Sequence, residues 1–405
     1  MLSIIPITAI SSGLGIFIPL YILYLKGNVF DIGLAFAFYN LVSIPSALFW
    51  GKITDIYGKS KPFILLSVFL TIPILLLFGF SQQLNNTYIY YSLFAVIATA
   101  ASPALNILVM GTKRNKTLPK YFSRYSLFGL IGSIVAYGFG ASLAINNPST
   151  YLYLLIYLNI AAAILALILI KDQPREIKNS QKITLANNLF PLLNSITALP
   201  ILMISSDTVI RIRNTIKSIE KKRIYQLLGA IILFNFGYYI FNTSYVPYLN
   251  GYGLSYANIF AINLANVVAQ IIIFIAIIKI KKSLKLERGY MLSITYRSTG
   301  YVIAAAAMFF PMLFFSVNII AYAIAGFSYA LWNLSSSVLL YDMIRGKKEG
   351  YYVGLWTGLL GGSAVLGAML SGVITVVFGY QSTFLIATAV TLGSGLIFHK
   401  KFDSK

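Results

Sequence analysis

Twelve apolar stretches divide this 405-residue chain, and its cations lie almost entirely in every second gap between them and in the C-terminal tail. A stretch needs roughly 20 mostly apolar residues to cross a hydrocarbon core about 30 Å thick. The stretches run approximately over 3–25, 30–50, 62–81, 87–110, 124–146, 150–170, 224–249, 255–278, 289–309, 312–342, 351–377 and 382–399. Lys52, Lys59 and Lys61 follow the second; Lys113, Arg114, Lys116, Lys120 and Arg124 follow the fourth. Ten cations lie between Lys171 and Arg223, after the sixth. Lys279, Lys281, Lys282, Lys285 and Arg288 follow the eighth, Arg345, Lys347 and Lys348 the tenth, and Lys400, Lys401 and Lys405 the twelfth. The alternate gaps hold a single cation, Lys26. Cationic loops stay in the cytoplasm, so the pattern predicts an all-α, multi-pass protein of the cell membrane with both termini cytoplasmic.

Composition excludes the other broad classes. The chain is 58% hydrophobic and 10% charged, against about a quarter charged in soluble domains. A net charge of +21 raises the question of nucleic acid, but a nucleic-acid binder gathers its basic residues on one folded face, and here they are scattered between apolar runs. There is no Cys, so disulfides and thiolate metal sites are excluded. The first apolar run starts at Met1 without a basic n-region and reads as a retained span. One His, no Cys and acids lying only near span ends assemble no metal cluster, nucleophile–base pair or phosphate loop. An enzyme is not expected, nor is a cofactor.

Residues 189–204, LFPLLNSITALPILMI, are apolar enough to imitate another span. If they crossed, every later cationic cluster would face outward, and the run is short and carries Pro191 and Pro200. It reads instead as interfacial. Asp207 then caps a basic amphipathic helix over 208–222, with Ile210, Ile212, Ile216 and Ile219 on its apolar side and Arg and Lys toward anionic lipid headgroups. The basic segment 172–223 thus links two units, 1–171 and 224–405.

These units resemble each other weakly. Pro19 in IPLYILYLKG and Pro247 in VPYLNGYG are 228 positions apart; Gly129, Gly132 and Gly138 lie 229 before Gly358, Gly361 and Gly367. Such offsets suggest a duplicated six-span unit, and six spans return the chain to the same side, so both copies share one orientation. Small residues let helices approach closely in lipid.

Between spans 2 and 3 stands GKITDIYGKSK, residues 51–61, with the pattern G-x-x-x-D-x-x-G-K-x-K. This resembles the loop 2–3 signature of the major facilitator superfamily, and with twelve spans, a six-plus-six repeat and a basic central loop the resemblance covers the whole chain. It implies two six-helix bundles related by a parallel pseudo-two-fold, rocking around a central site to give alternating access, in a monomer. By that resemblance Gly51 and Gly58 permit tight helix-to-loop geometry. Asp55, beside Lys59 and Lys61, meets the positive end of span 11 and nearby cations such as Lys113 and Arg114, latching the cytoplasmic side. The sequence departs from the pattern at Ile56, where a basic residue is usual, and the matching second-half loop KIKKSLKLERG (279–289) is degenerate.

In this family spans 1, 4, 7 and 10 surround the cavity, helped by 2, 5, 8 and 11. Polar stripes at helical spacing lie on several of them: Asn235, Tyr238, Tyr239, Asn242 and Tyr245 on span 7; Asn263, Asn266 and Gln270 on span 8; Thr99, Ser102 and Asn106 on span 4; Tyr322, Tyr329, Trp332, Asn333 and Ser336 on span 10. Unpaired amides are costly in hydrocarbon, so these groups either line a wet cavity or hold helices together. No Asp or Glu lies in the interior of any span, since Asp31, Asp55 and Asp342 stand near ends, which removes the commonest proton-coupling device. Arg297 lies about eight residues into span 9. The first expectation is that it snorkels to the headgroups; the sharper alternative is that it meets a substrate anion. A carrier of a small organic solute follows, leaning to export of a neutral or amphipathic compound. The alternatives are uptake of a neutral or anionic nutrient and a non-transporting membrane sensor.

Overall fold

The computed structural model describes residues 4–57, 59–80, 83–110, 118–142, 148–170, 219–279, 285–344 and 349–402. Gly58, Lys113, Arg114 and linker residues 172–218, including the stretches at 189–204 and 208–218, lie outside these, as do the side chains of Asp55 and Asn106. All elements among the described residues are helical. In order they are α1 (Ile4–Tyr24), α2 (Val29–Tyr57), α3 (Lys61–Phe80), α4 (Leu84–Met110), α5 (Leu118–Ser142), α6 (Pro148–Leu169), α7 (Ile219–Gly251), α8 (Tyr256–Lys279), α9 (Leu286–Ala306), α10 (Phe314–Ile344) and α11 (Glu349–Phe402), with two 3-10 turns, Ala307–Phe309 and Pro311–Leu313, between α9 and α10. Helices are what an apolar chain must form in lipid, because every backbone N–H and C=O has to be paired within the segment. Eight of the described stretches are long and apolar enough to cross a membrane. Leu396, Ile168, Val377 and Phe378 stand exposed on the outside of the bundle, as a lipid-facing surface requires.

The sequence predicts twelve helices, and eleven α-helical elements are observed among the described residues. The difference falls in α11. Its 54 residues would be about 81 Å long at 1.5 Å per residue, well over twice the hydrocarbon core. Its dihedrals break at Gly379 (φ 80, ψ 171), a conformation open to glycine. The stretches read as spans at 351–377 and 382–399 flank that break. Hydroxyls bridge it: Ser244 of α7 is 2.6 Å from Ser371 and 2.7 Å from Thr375, and Thr375 is 2.8 Å from Thr383 on the far side.

Packing follows the duplicated pattern. In the first half α1 packs on α5 and α6, α2 on α4, and α3 on α4 and α6. In the second half α7 packs on α11, α8 on α10, and α9 on α10 and α11. Between halves, α2 lies along α11 and α5 along α8. The crossing of α2 and α11 is close: a Cβ added to Gly33 would sit 2.7 Å from the Ala368 carbonyl oxygen, and one on Gly372 would sit 2.8 Å from Phe30 Cα.

The repeat is written most clearly in the turns after α1 and α7. Gly27 N–H donates to Ile22 O and Lys26 N–H to Leu23 O; correspondingly, Leu254 N–H donates to Leu249 O and Gly253 N–H to Asn250 O. Both are the Schellman cap, with Lys26 (φ 64) and Gly253 (φ 82) at the left-handed position. Two residues on, Asn28 caps α2 through its Oδ1, which accepts from Phe30 N and Asp31 N, while Ser255 Oγ accepts from Asn258 N to cap α8. Lys26 and Gly253 are 227 positions apart, as are Asn28 and Ser255. The glycine offset of 229 carries no such equivalence. Gly132 lies against Ile5 and Thr8 of α1, whereas Gly361 meets Ile44 of α2; Gly138 meets open space, whereas Gly367 lies against Tyr239 and Phe236 of α7.

Candidate substrate cavity

A cavity of about 350 Å³ lies among helices of both halves. The first half contributes Ser12, Gly15 and Ile16 of α1 and Leu130, Ser133 and Tyr137 of α5. From the second come Tyr238, Asn242 and Val246 of α7, Asn263, Asn266, Val267 and Gln270 of α8, Arg297 of α9, and Tyr322 and Tyr329 of α10. No carboxylate is among them.

The amides that line this space also hold helices together, so the two readings of the polar stripes are not exclusive. Asn266 Nδ2 donates to the Tyr322 carbonyl of α10 at 2.7 Å, and Gln270 Nε2 donates to Asn266 Oδ1 at 2.8 Å. Asn263 Nδ2 returns to its own helix at Ile259 O. Tyr322 OH donates to Asn242 Oδ1 at 2.8 Å, tying α10 to α7. In the first half the hydroxyls of Ser12 and Ser133 are 2.7 Å apart. The lining is thus oriented by bonds between helices.

Arg297 does not snorkel. It is 1% exposed and stands eleven residues into α9, about 16 Å along the axis from its start. Its guanidinium carbon lies 5.5 Å from the Phe234 ring centroid, 5.2 Å from Tyr238, 5.8 Å from Tyr301 and 5.7 Å from Tyr329. Each such contact is worth about 0.5–2 kcal/mol, more when desolvated. A central Arg costs on the order of 2.5–3.5 kcal/mol on insertion scales, so an aromatic cage of this kind can hold the charge inside the bundle. It does not satisfy the donors: Nε and Nη2 are buried without a hydrogen-bond partner. Span 9, expected at the periphery, therefore supplies a cavity residue.

Seven of the twelve residues predicted to bind substrate meet in this cavity: Tyr238, Asn242, Asn263, Asn266, Gln270, Tyr329 and Arg297. Four described ones do not line it. Asn235 turns to α11, where Nδ2 donates to Leu360 O at 3.0 Å and to Ser363 Oγ at 2.8 Å. Trp332 stacks on Phe234 at 4.9 Å behind the cage. Tyr239 sits edge-on to Tyr238 and packs where Gly367 of α11 approaches. Asn333 lies one position beyond Trp332, and its carbonyl accepts from Ser336 Oγ. Sequence reasoning missed Ser12, Ser133 and Tyr137. The two serines stand in runs with glycine, SSGLG and GLIGS, which read as packing surface; their spacing from those glycines was the available signal.

The predicted latch takes a different local form. The helix α2 runs through Tyr57 and α3 starts at Lys61, so Gly51 and Asp55 lie within the last turns of α2 and not in a loop. Gly51 makes no helix-to-loop turn. Lys59 is exposed, and Lys61 Nζ donates to Leu167 O at 2.8 Å, stapling α3 to the end of α6.

A bundle of apolar helices around a polar cavity is an architecture that membrane carriers use. The chain belongs to the Major Facilitator Superfamily, which matches residues 1–339, and it is a transporter rather than an enzyme. Solved structures share the fold. The nucleoside transporter NupG superposes with a TM-score of 0.71 at 14% identity, over 100% of this chain and 98% of that one. A POT family transporter in complex with a thioalcohol-conjugated peptide gives 0.74 at 13% identity, over 100% and 96%. The human organic anion transporter MFSD10 gives 0.63 at 11% identity, over 98% of each chain. At these identities the likeness establishes the fold, and the fold does not select a substrate. No curated protein matches the chain in sequence.

Proposed function

We propose that this protein is a monomeric secondary transporter of the cell membrane that moves a small polar organic solute by alternating access. Two six-span bundles, 1–171 and 224–405, rock about the cavity, with α11 crossing twice around Gly379. Both termini and the basic linker 172–223 are cytoplasmic, against anionic headgroups. Asp55 latches that side through the end of α11 and the cations at 113–114.

The observation that carries this reading is that the cavity is assembled from both halves, with Ser12, Ser133 and Tyr137 facing Asn242, Asn266 and Tyr322. Movement of one half against the other necessarily remodels such a site. Its lining is dominated by hydroxyls and amides, which favours a polar solute over the amphipathic compound of the export expectation. Uptake of an anionic nutrient is the second reading, favoured by the buried Arg297.

A thermal-shift screen of the purified protein across chemical classes tests the proposal, because a ligand of the folded state raises its melting temperature by mass action. Small polar organic solutes are expected to stabilise, and lipophilic amines and dyes are not. Stabilisation confined to lipophilic compounds would contradict the assignment.

A further inference from the structure

We propose that the solute is a monoanion, of the size of a single-ring carboxylate, and that its charge is the counter-ion of Arg297; this rests on the transporter reading above. Arg297 is the buried charge of the described residues, and it lines the cavity. Its nearest acid in sequence, Glu287, is ten residues earlier on α9, about 15 Å down the axis. Aromatic faces surround the guanidinium and stabilise its charge, and the Tyr301 hydroxyl lies within hydrogen-bond reach of it, but ring faces accept no strong hydrogen bonds. A guanidinium has five N–H donors in a planar fork, and here Nε and Nη2 have no acceptor. A carboxylate matches that fork with two parallel bonds.

The other features of the cavity narrow the class. A neutral solute could accept from these donors but would leave the buried positive charge uncompensated. A phosphomonoester would bring close to two negative charges against one cation, leaving the second without a partner. The cavity, about 350 Å³, is at the lower end of ligand-site volumes, which suits one ring or a short chain. Asn242, Asn266, Gln270 and the Tyr322 hydroxyl line the same cavity and offer hydrogen-bonding groups to the rest of such a molecule.

The test uses full-length protein in detergent at fixed ionic strength and about pH 7.5, with matched pairs of probes: benzoate with benzamide, 4-hydroxybenzoate with 4-hydroxybenzamide, nicotinate with nicotinamide, and phenyl phosphate as the dianion. At least one acid is expected to raise the melting temperature and to bind at least about tenfold more tightly than its amide and than phenyl phosphate, the margin expected when a buried charge gains its partner. In Arg297→Gln with its unliganded transition retained, the preference should fall to within about twofold; Arg297→Lys should keep part of it. Amides that bind as well as acids, acids that produce no shift, or a preference that survives Arg297→Gln would overturn the proposal. The wild-type pairs decide the matter even if the variants fail to fold. Amides that bind and cross proteoliposome membranes would sink the anion assignment and leave the carrier reading standing. Acids that bind through Arg297 but never cross would do the reverse.

Discussion

Gly33→Ala should push the carrier toward the state open on the side of the α1–α2 turn. The added Cβ would stand 2.7 Å from the Ala368 carbonyl oxygen, where ordinary contact begins near 3.4 Å. The crossing of α2 and α11 must therefore widen by about 0.7 Å, and overpacking of that order costs about 1–3 kcal/mol. The penalty applies only while the two helices are closed against each other, since the crossing joins the two halves and separates when that side opens. The gain in helix propensity from Gly to Ala is common to both states and cancels. A bias of 1–3 kcal/mol is about a 5–150-fold shift between states. The natural chain has no Cys, so Ser12→Cys in the cavity is a clean reporter for an impermeant thiol reagent. Reaction from the side of the α1–α2 turn, outside by the charge pattern, should quicken in the double variant, and reaction from the opposite side should slow. Equal labelling with and without Gly33→Ala would refute the gating role of this crossing.

Other expectations are more local. Asn235→Ala removes two bonds from α7 to α11 and should lower stability by about 1–3 kcal/mol, read as a lower melting temperature with unchanged ligand affinity, because Asn235 lies outside the cavity. Thr375→Val breaks the hydroxyl chain linking Ser244 to Thr383 across Gly379; a loss of about 1–2 kcal/mol is expected, and an unchanged melting temperature would show that the chain does not hold α11 to α7. Asp55→Asn should speed opening to the cytoplasm, measured by Ser12→Cys labelling in inside-out vesicles, and unchanged accessibility on both sides would remove the latch. The acids of the described helices outside the linker, Asp31, Asp55, Glu287, Asp342 and Glu349, lie near helix ends. Flux should therefore persist without a pH gradient, and strict dependence on one would contradict the absence of a membrane carboxylate as the guide to coupling.

Much of the architecture was legible because lipid imposes simple rules. Apolar length marks the helices of a multi-pass membrane protein without reference to packing, and the alternating cations supply the sidedness proposed for it. The repeat was legible only in outline. Its sharpest trace is the pair of helix caps at Lys26 and Gly253, and the sequence hides it because a lysine occupies in one copy the left-handed position that glycine occupies in the other. Gly379 was similarly silent: one residue with positive φ divides a continuous run of helix, and no polar loop announces it. The second-half cavity residues were visible as amides and tyrosines at helical spacing, since such groups in apolar spans need a reason. Which of them face the cavity was not visible, because Asn235 and Asn242 sit seven residues apart on one helix yet bond to different neighbours. Arg297 was noticed for its charge and misplaced. Snorkelling is a rule for helix ends, and only tertiary packing could bring four rings around a cation in mid-helix.

The most direct measurement of the central claim is counterflow in proteoliposomes. Vesicles loaded with an unlabelled ligand that stabilises the purified protein are diluted into the same compound carrying a radiolabel. A carrier whose cavity faces each side in turn will accumulate label transiently above the level of protein-free vesicles, saturably with external concentration. Label uptake indistinguishable from protein-free vesicles, with a ligand shown to bind in the cavity, would contradict the account.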